Sequence, residues 1–405
     1  MKFAGIIAEY DPFHNGHAWQ LAQARRMGAQ RVAVAMSCGL TQLGALPLLP
    51  EPVRAAAALD AGADLVFALP APYACAGAEA FARAGVHLLA AAGCDTLVFG
   101  AETPDAGLLL EAARVLRGSA YRAALRQALD GGARSFAAAR QAAVEAVCPG
   151  LPLAALLDKP NNNLAVEYCK AILELREQGP APVPFPLPRQ GADHGQALQE
   201  SGCGRFASAS ALRALWAQQG PEALAPYVPA SALERYRAAA AAGLDTDFPA
   251  AGRAQLALLR SRCTGDAPFA GVRGVSEGLE HRLEAAVRRA VTPDGLLDAL
   301  TTVRYPRARM RRLAMDAALG FGEGELPALP PYLHLLAARR EALPLLAGAA
   351  LPASPSLAKL ARTNKACARC AAAQAAAGDF GALYRQTPGP MGGIFQQKAV
   401  FLPEW

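Results

Sequence analysis

Four short apolar segments, regularly spaced through the first hundred residues, constrain this chain more than any other feature. Phe3–Ala8, Arg31–Met36, Asp64–Leu69 and Thr96–Gly100 read as strands, and His17–Met27, Glu51–Ala61 and Glu79–Ala92 between them read as helices. Pro52 falls in the first turn of its helix, where the missing N–H costs nothing. Strands apolar on both faces and joined through helices form a parallel sheet covered on both sides. The expected fold is therefore α/β, a doubly wound parallel sheet. Ligands of such sheets lie beyond the carboxyl ends of the strands. That rule points to Glu9–His17, Ser37–Gly44, Pro70–Tyr73 and Gly100–Thr103.

Helical patterns continue from Pro104 to Cys148 and over Asn161–Glu177, and proline-rich Gly179–Pro188 reads as an edge strand or linker. Gly191–Gly204 reads as a loop, and Ser210–Gln219 as a helix capped by Ser208 or Ser210. Mainly helical segments follow Pro221. The element pattern suggests a boundary near residues 215–225, dividing an α/β domain over residues 1–218 from a mainly α-helical domain over 219–405, in keeping with 405 residues. An apolar fraction of 53% against 18% charged excludes a disordered chain. No apolar run is long enough to span a bilayer. The start carries no basic-then-apolar leader, so a cytoplasmic protein with no membrane partner is expected. The nine cysteines are odd in number and scattered, which reads as reduced thiols. Cys367 and Cys370 form a single CxxC without two further nearby ligands, and no metal site is expected there. Neither GxxxxGK[ST] nor GxGxxG follows a strand, which excludes P-loop and Rossmann dinucleotide sites.

The chemistry concentrates in His14-Asn15-Gly16-His17, placed where the first strand turns into the first helix. Two imidazoles beside a helix N-terminus suit a phosphoryl group, because the helix dipole and free N–H groups favour anions. The imidazoles would hold oxygens on which charge builds. A second phosphate-binding helix start is expected, and Ala207–Arg213 fits. There Ser208 and Ser210 open a helix and Arg213 follows one turn later.

With these residues in view, the chain resembles the HxGH nucleotidyltransferase superfamily, a HUP-like fold, and within it the bacterial tRNA(Met) cytidine acetate ligase family. The resemblance is carried by Gly5–His17 (GIIAEYDPFHNGH), Met36-Ser37, Gln42 with Gly44, Ala61–Val66, Leu69-Pro70, Ala78–Ala82 and Phe99–Glu102. It continues through Pro160–Asn162, Glu167-Tyr168, Lys170-Ala171, Arg189, His194, Ala207–Arg213, Glu277–Glu280 and Arg304-Tyr305. It implies a two-step ligase: ATP and acetate give acetyl-adenylate and pyrophosphate, and the acetyl group passes to N4 of the wobble cytidine of elongator tRNA(Met). Carried over by position, Ile7, Ala8, Glu9, Tyr10, Asp11, Pro12, Phe13, His14, Asn15, Gly16, His17 and Gln20 would wrap ATP. Gly100, Asn161, Asn162 and Arg189 would complete the nucleotide pocket. Mg²⁺ is expected as the usual companion of a triphosphate. His14, His17, Ser208, Ser210 and Arg213 would act on the phosphates.

One loop departs from the family pattern. Leu43 stands where an Arg is expected, Ala45 where a Glu is expected, and Glu51 where a Lys is expected. Two positive charges lost beside a phosphate site would weaken its hold on triphosphate or tRNA. Five Arg within residues 304–312 supply a candidate RNA patch, with Arg304, Arg307, Arg309 and Arg312 tracking a tRNA backbone and Tyr305 stacking on a base. Two other readings remain open: a nucleotidyltransferase acting on another small acceptor, and a nucleotide- or RNA-binding homologue without acetylation activity. Only six of the 40 basic residues are Lys, but a chain this rich in Ala and Arg shows compositional bias, so placement rather than number bears on RNA.

Overall fold

The structure, a computed structural model, describes residues 2–133, 135–189, 199–201, 204–276 and 278–402. Its framework follows the expected alternation: β1 (Phe3–Ala8), α1 (Asn15–Arg26), β2 (Arg31–Ser37), α2 (Glu51–Asp60), β3 (Leu65–Leu69), α3 (Ala78–Ala91) and β4 (Thr96–Ala101). Each strand is nearly all buried, which is why its sequence is a continuous apolar run rather than an alternation. Asp64, expected in the third strand, lies just before it with no exposure. Its carboxylate accepts from Val32 N at 2.6 Å and meets Arg25 at 2.5 Å, fixing β2 beside β3.

The helix α4 (Pro160–Arg176) leads into β5 (Val183–Pro188), which pairs in parallel with β4, so the proline-rich segment is an edge strand. The parallel order is β3-β2-β1-β4-β5. The chain thus winds outward from β1 in both directions, and the order reverses between β1 and β4. Ligand crevices form at such a reversal.

The second half of the chain also contributes to this sheet. Leu333–Arg339 forms β6, fully buried and antiparallel to β3, and Val400–Leu402 forms β7 on its outer edge. With the short strand Ala353–Ser354 they complete an eight-stranded sheet among the described residues. Leu212, Trp216, Tyr236, Tyr332 and Cys370 belong to the same core as the sheet, so that core extends past residue 218. A separate, mainly helical core lies within residues 256–318, built around Leu259, Leu283, Leu300 and Met310. No helix among the described residues is long and apolar enough to cross a membrane.

Candidate active site at the sheet switch point

A cavity of about 310 Å³ opens beyond the carboxyl ends of β1, β4 and β5. That volume sits at the lower end of the range for small-molecule sites. Its floor is Ile7–Asp11 from β1 and the turn after it, and Phe99 and Gly100 from β4. Pro188 and Arg189 stand at the end of β5, and His14, Gly16, His17 and Gln20 border it from α1. Asn161 lines it from the start of α4. Ser208 and Ala209 close the far side at the start of α5 (Ala209–Gln219).

The two histidines are locked by the helix they open. His14 is the N-cap of α1: its Nδ1 accepts from Gly16 N at 3.1 Å, while His17 Nδ1 accepts from His14 N at 3.3 Å. The rings stack with centroids 3.7 Å apart, and Tyr10 meets His17 edge-on at 4.8 Å. Because both Nδ1 atoms accept, each neutral ring carries its proton on Nε2, leaving two Nε2–H donors. Burial, and then the Arg189 guanidinium, push the His14 pKa down to about 4. Burial, His14 and Arg189 hold His17 well below the usual value. Both rings are therefore neutral donors at pH 7. Gly16 is required here for a steric reason, since a Cβ on it would come within 2.9 Å of the His14 ring.

The backbone N–H groups of this turn are not free, contrary to the sequence expectation. Asn15 N donates to Tyr227 O, and His17 and Ala18 donate to His14 O. With Gly16 N on the His14 ring, the imidazoles rather than the first-turn amides are the available donors.

Other expected residues stand behind the cavity and shape it. Asn15 ties the turn to Arg205 O and Pro226 O, and Phe13 O accepts from Tyr236 Oη at 2.7 Å. Asn162 is buried and clamps Thr103 through both side-chain atoms. Pro12, like these three, does not line the cavity. Ser208 is the N-cap of α5, accepting from Ala211 N at 3.3 Å, and its Oγ lies 3.1 Å from Ser210 Oγ. Ser210 is exposed and outside the cavity. Arg213, expected on the phosphates, instead donates to Asp11 O at 2.6 Å and Asp11 Oδ2 at 3.2 Å, holding the turn after β1. His194 and Glu277 lie outside the described residues, as does most of the expected 191–204 loop; Gln199–Ser201 and Gly204–Phe206 pair as a two-stranded ribbon.

Two features of the site were not read from the sequence as site residues. One is the apolar wall of Phe81, Leu164, Tyr168 and Phe99, in which the Tyr168 and Phe99 rings lie 5.5 Å apart. The other is Arg54. That fully buried guanidinium donates to Leu49 O at 2.9 Å, Glu9 O at 2.6 Å and Ser37 O at 3.0 Å, tying together the carboxyl ends of β1 and β2. In sequence it is only an Arg inside a helix next to two prolines.

The departures from the family loop fall away from the cavity. Leu43 is exposed, and neither it nor Ala45 lines the cavity. Glu51 is buried at the start of α2, accepts from Gly39 N at 2.7 Å and pairs with Arg54 at 3.6 Å. Gln42 alone from this loop reaches the cavity.

The Arg-rich segment opens α6 (Arg307–Leu319). Arg307 is paired with Asp294 and Asp298. Arg309 and Arg304 lie over the Tyr305 ring at 5.1 and 5.8 Å from its centroid. Arg312 donates to Gln42 O at 3.1 Å. Arg309 reaches Ser276 Oγ at 3.4 Å, so it is engaged by a ring and a hydroxyl rather than by a carboxylate. Cys367 and Cys370 are buried free thiols, and no cluster of three potential metal ligands occurs among the described residues.

The sequence matches the HIGH Nucleotidyl Transferase family model over residues 1–388. It is 36% identical over 345 residues to a tRNA(Met) cytidine acetate ligase of Syntrophotalea carbinolica, covering 83% of this chain and 79% of the relative. It is 30% identical to the enzyme of the same name from Acetivibrio thermocellus, covering 83% and 82%. The fold matches a crystal structure of Thermotoga maritima TmcAL bound with alpha-thio ATP with a TM-score of 0.88, at 25% identity and over the whole of both chains. A HIGH-type turn at the switch point of the sheet, and relatives matched along most of their length, give one conclusion: the chain belongs to the tRNA(Met) cytidine acetate ligase family of HIGH nucleotidyltransferases.

Proposed function

We propose that this chain is an ATP-dependent ligase that forms acetyl-adenylate from acetate and ATP and transfers the acetyl group to N4 of the wobble cytidine of elongator tRNA(Met). The observation that carries the reading is the pair of neutral imidazoles bordering the switch-point cavity, each with an Nε2–H left to donate. The wall of Phe81, Phe99, Leu164 and Tyr168 offers an apolar face for the adenine ring. Arg189 supplies positive charge at the cavity, and Ser208 a hydroxyl at the far helix start. A carboxylate oxygen of acetate attacks the α-phosphorus and pyrophosphate leaves. The protein's part is to align the reactants and to meet developing charge on the phosphate oxygens. Both carboxylate oxygens of Asp11 are engaged, by Leu48 N and by Arg213, so a Mg²⁺ accompanying ATP would be held chiefly by the phosphates themselves. In this reading Arg304 and Arg309 meet the tRNA backbone, and the protein works in the cytoplasm on tRNA.

The test is to incubate the purified protein with ATP, labelled acetate and tRNA(Met), digest the RNA and seek N4-acetylcytidine. Acetate-dependent exchange of labelled pyrophosphate into ATP reads the first step separately. Exchange without label on tRNA would point to another acceptor; neither signal, with ATP still bound, would leave a binding protein.

A further inference from the structure

Glu9 is a carboxylate at the cavity that the adenylation step leaves unused. It lies at the carboxyl end of β1, half-buried and bordering the cavity beside His14 and His17. Its Oε1 accepts from Gln42 N at 2.5 Å. No described residue hydrogen-bonds its Oε2. The next residue, Tyr10, also borders the cavity, and its buried Oη has no partner. The residue that holds Glu9 is itself held from outside, because Gln42 O, in the following peptide, accepts from Arg312 of α6 at 3.1 Å. The same helix carries Arg309, so a line of two hydrogen bonds runs from the Arg-rich segment to a carboxylate in the cavity.

We propose that Glu9 receives the acceptor in the second step: its Oε2 accepts a hydrogen bond from the exocyclic N4–H₂ of cytosine and takes the proton that this amine loses. The inference rests on the proposed function. A carboxylate is the natural partner of the cytosine N4 donor, and it would meet the O4 acceptor of uracil with repulsion. In the step, N4 attacks the acetyl carbonyl carbon and the new C–N bond forms. The bond from that carbon to the adenylate oxygen breaks, AMP leaves with the electron pair, and the amine proton passes to Glu9 Oε2 and then to water. Atoms and charge balance without a further reactant.

The surroundings suit a base. Burial raises the Glu9 pKa most, the Gln42 N–H lowers it, and the neighbouring Asp11 carboxylate raises it again. Arg213 from α5 and Arg54 from α2 act in the lowering direction. Tyr168 from α4 and the buried thiol of Cys75 feel the Glu9 charge, and His14 and His17 of α1, both held neutral, border the same cavity. The net direction is upward, so the carboxylate is a stronger base than an exposed one.

The experiment supplies acetyl-adenylate and tRNA(Met) directly to the wild-type protein, to E9Q and to E9D, and follows single-turnover N4-acetylcytidine formation between pH 5 and 9. Pyrophosphate exchange is measured alongside. Transfer by E9Q should fall about 100-fold or more, the usual scale for a lost general base. The rise of the wild-type rate with pH should flatten in E9Q, and E9D should recover part of the rate with a pH rise of its own. Glu9 also borders the expected ATP site, so exchange by E9Q serves as the reference, and transfer should fall at least about tenfold further than exchange. Equal transfer by E9Q and wild type, or equal loss of exchange and transfer, overturns the assignment while leaving the ligase reading standing. A wild-type protein that transfers nothing from acetyl-adenylate overturns the ligase reading and this inference with it.

Discussion

Replacing Glu51 separates two opposed views of the altered loop. If Glu51 took the place of a phosphate-binding Lys, removing its charge would tighten ATP binding. The structure gives it a different task. It is 6% exposed, lies 3.6 Å from the fully buried Arg54, and accepts from Gly39 N. Removing one partner of a buried ion pair costs about 3–5 kcal/mol, because the other charge is left uncompensated. Arg54 would keep three carbonyl acceptors, and the amide oxygen introduced by E51Q could still accept from Gly39. E51Q therefore belongs at the low end, about 3 kcal/mol. E51K would set two like charges at the same separation, a repulsion of up to about 5 kcal/mol at an effective dielectric constant of about 20. Against total stabilities of about 5–15 kcal/mol, E51K should be largely unfolded at 37 °C. Urea denaturation with and without ATP is the assay. The pH dependence supplies an internal control. Burial alone would raise the Glu51 pKa, but Arg54 and the N–H groups of Glu51 itself and of Gly39 hold it below 4.5. Its stabilisation is thus present above that value and is lost as pH falls through the folded-state pKa, so the gap between wild type and E51Q should close in acid. E51Q should bind ATP within about twofold of wild type per folded molecule. An E51Q protein that unfolds like the wild type and binds ATP about tenfold tighter would show that Glu51 faces the phosphates and that the burial argument is wrong.

His17→Ala should reduce acetate-dependent pyrophosphate exchange by about 100-fold or more, the cost of an electrostatic donor lost at a reacting phosphate, while circular dichroism shows α1 intact. The depressed His14 pKa of about 4 means that the ring is neutral when folded but protonates near 6.5 when unfolded, so it favours folding above pH 6.5 and ceases to do so as pH drops towards 4. Bound triphosphate should raise that pKa again. Calorimetry at pH 6 in two buffers of different ionisation enthalpy should then detect proton uptake with ATP, and not with a His14→Ala/His17→Ala double variant. Arg309→Glu should weaken tRNA binding and flatten its salt dependence, whereas Arg307→Ala should change it less than about twofold, since Asp294 and Asp298 already match that charge. Gly44→Ala should cost about 1–3 kcal/mol, because Gly44 has φ +75° and a Cβ there would lie 2.7 Å from Arg312 N. If the loop relays from α6 to Glu9, acetyl transfer by this variant should fall further than ATP binding.

The parts of this molecule that the sequence displayed are those whose local chemistry and final environment agree. Each of β1–β4 is a short apolar run, and each is buried on both faces, so pattern and packing ask for the same thing. His14 and His17 were visible because a helix cap and a ligand-facing turn share four consecutive residues. Leu333–Arg339 was hidden for the opposite reason. Its sequence, LHLLAAR, is made of good helix formers, and only the open edge of β3 makes it a strand. The cavity's apolar wall was hidden too, since Phe81, Phe99 and Tyr168 are far apart in the chain and meet only after α3 and α4 pack on the sheet. Arg213 shows the limit of reading charge by position. In sequence it is a cation one turn into a serine-capped helix, where an anion would be expected to bind. In the fold its donors go to Asp11, whose other oxygen takes the Leu48 N–H at 2.6 Å. The charge is spent on the shape of the turn that carries the histidines rather than on the ligand. The same holds for Arg54 and Arg312, whose donors go to backbone carbonyls of β2, the residue after β1 and the Gln42 loop. If the cavity handles phosphate as proposed, these three cations stand one layer back as struts, with the neutral imidazoles and Arg189 at its border. Neutral donors fixed in orientation would add to the charge of Arg189 a means of discriminating between the bound triphosphate and the state in which charge has moved to the leaving group.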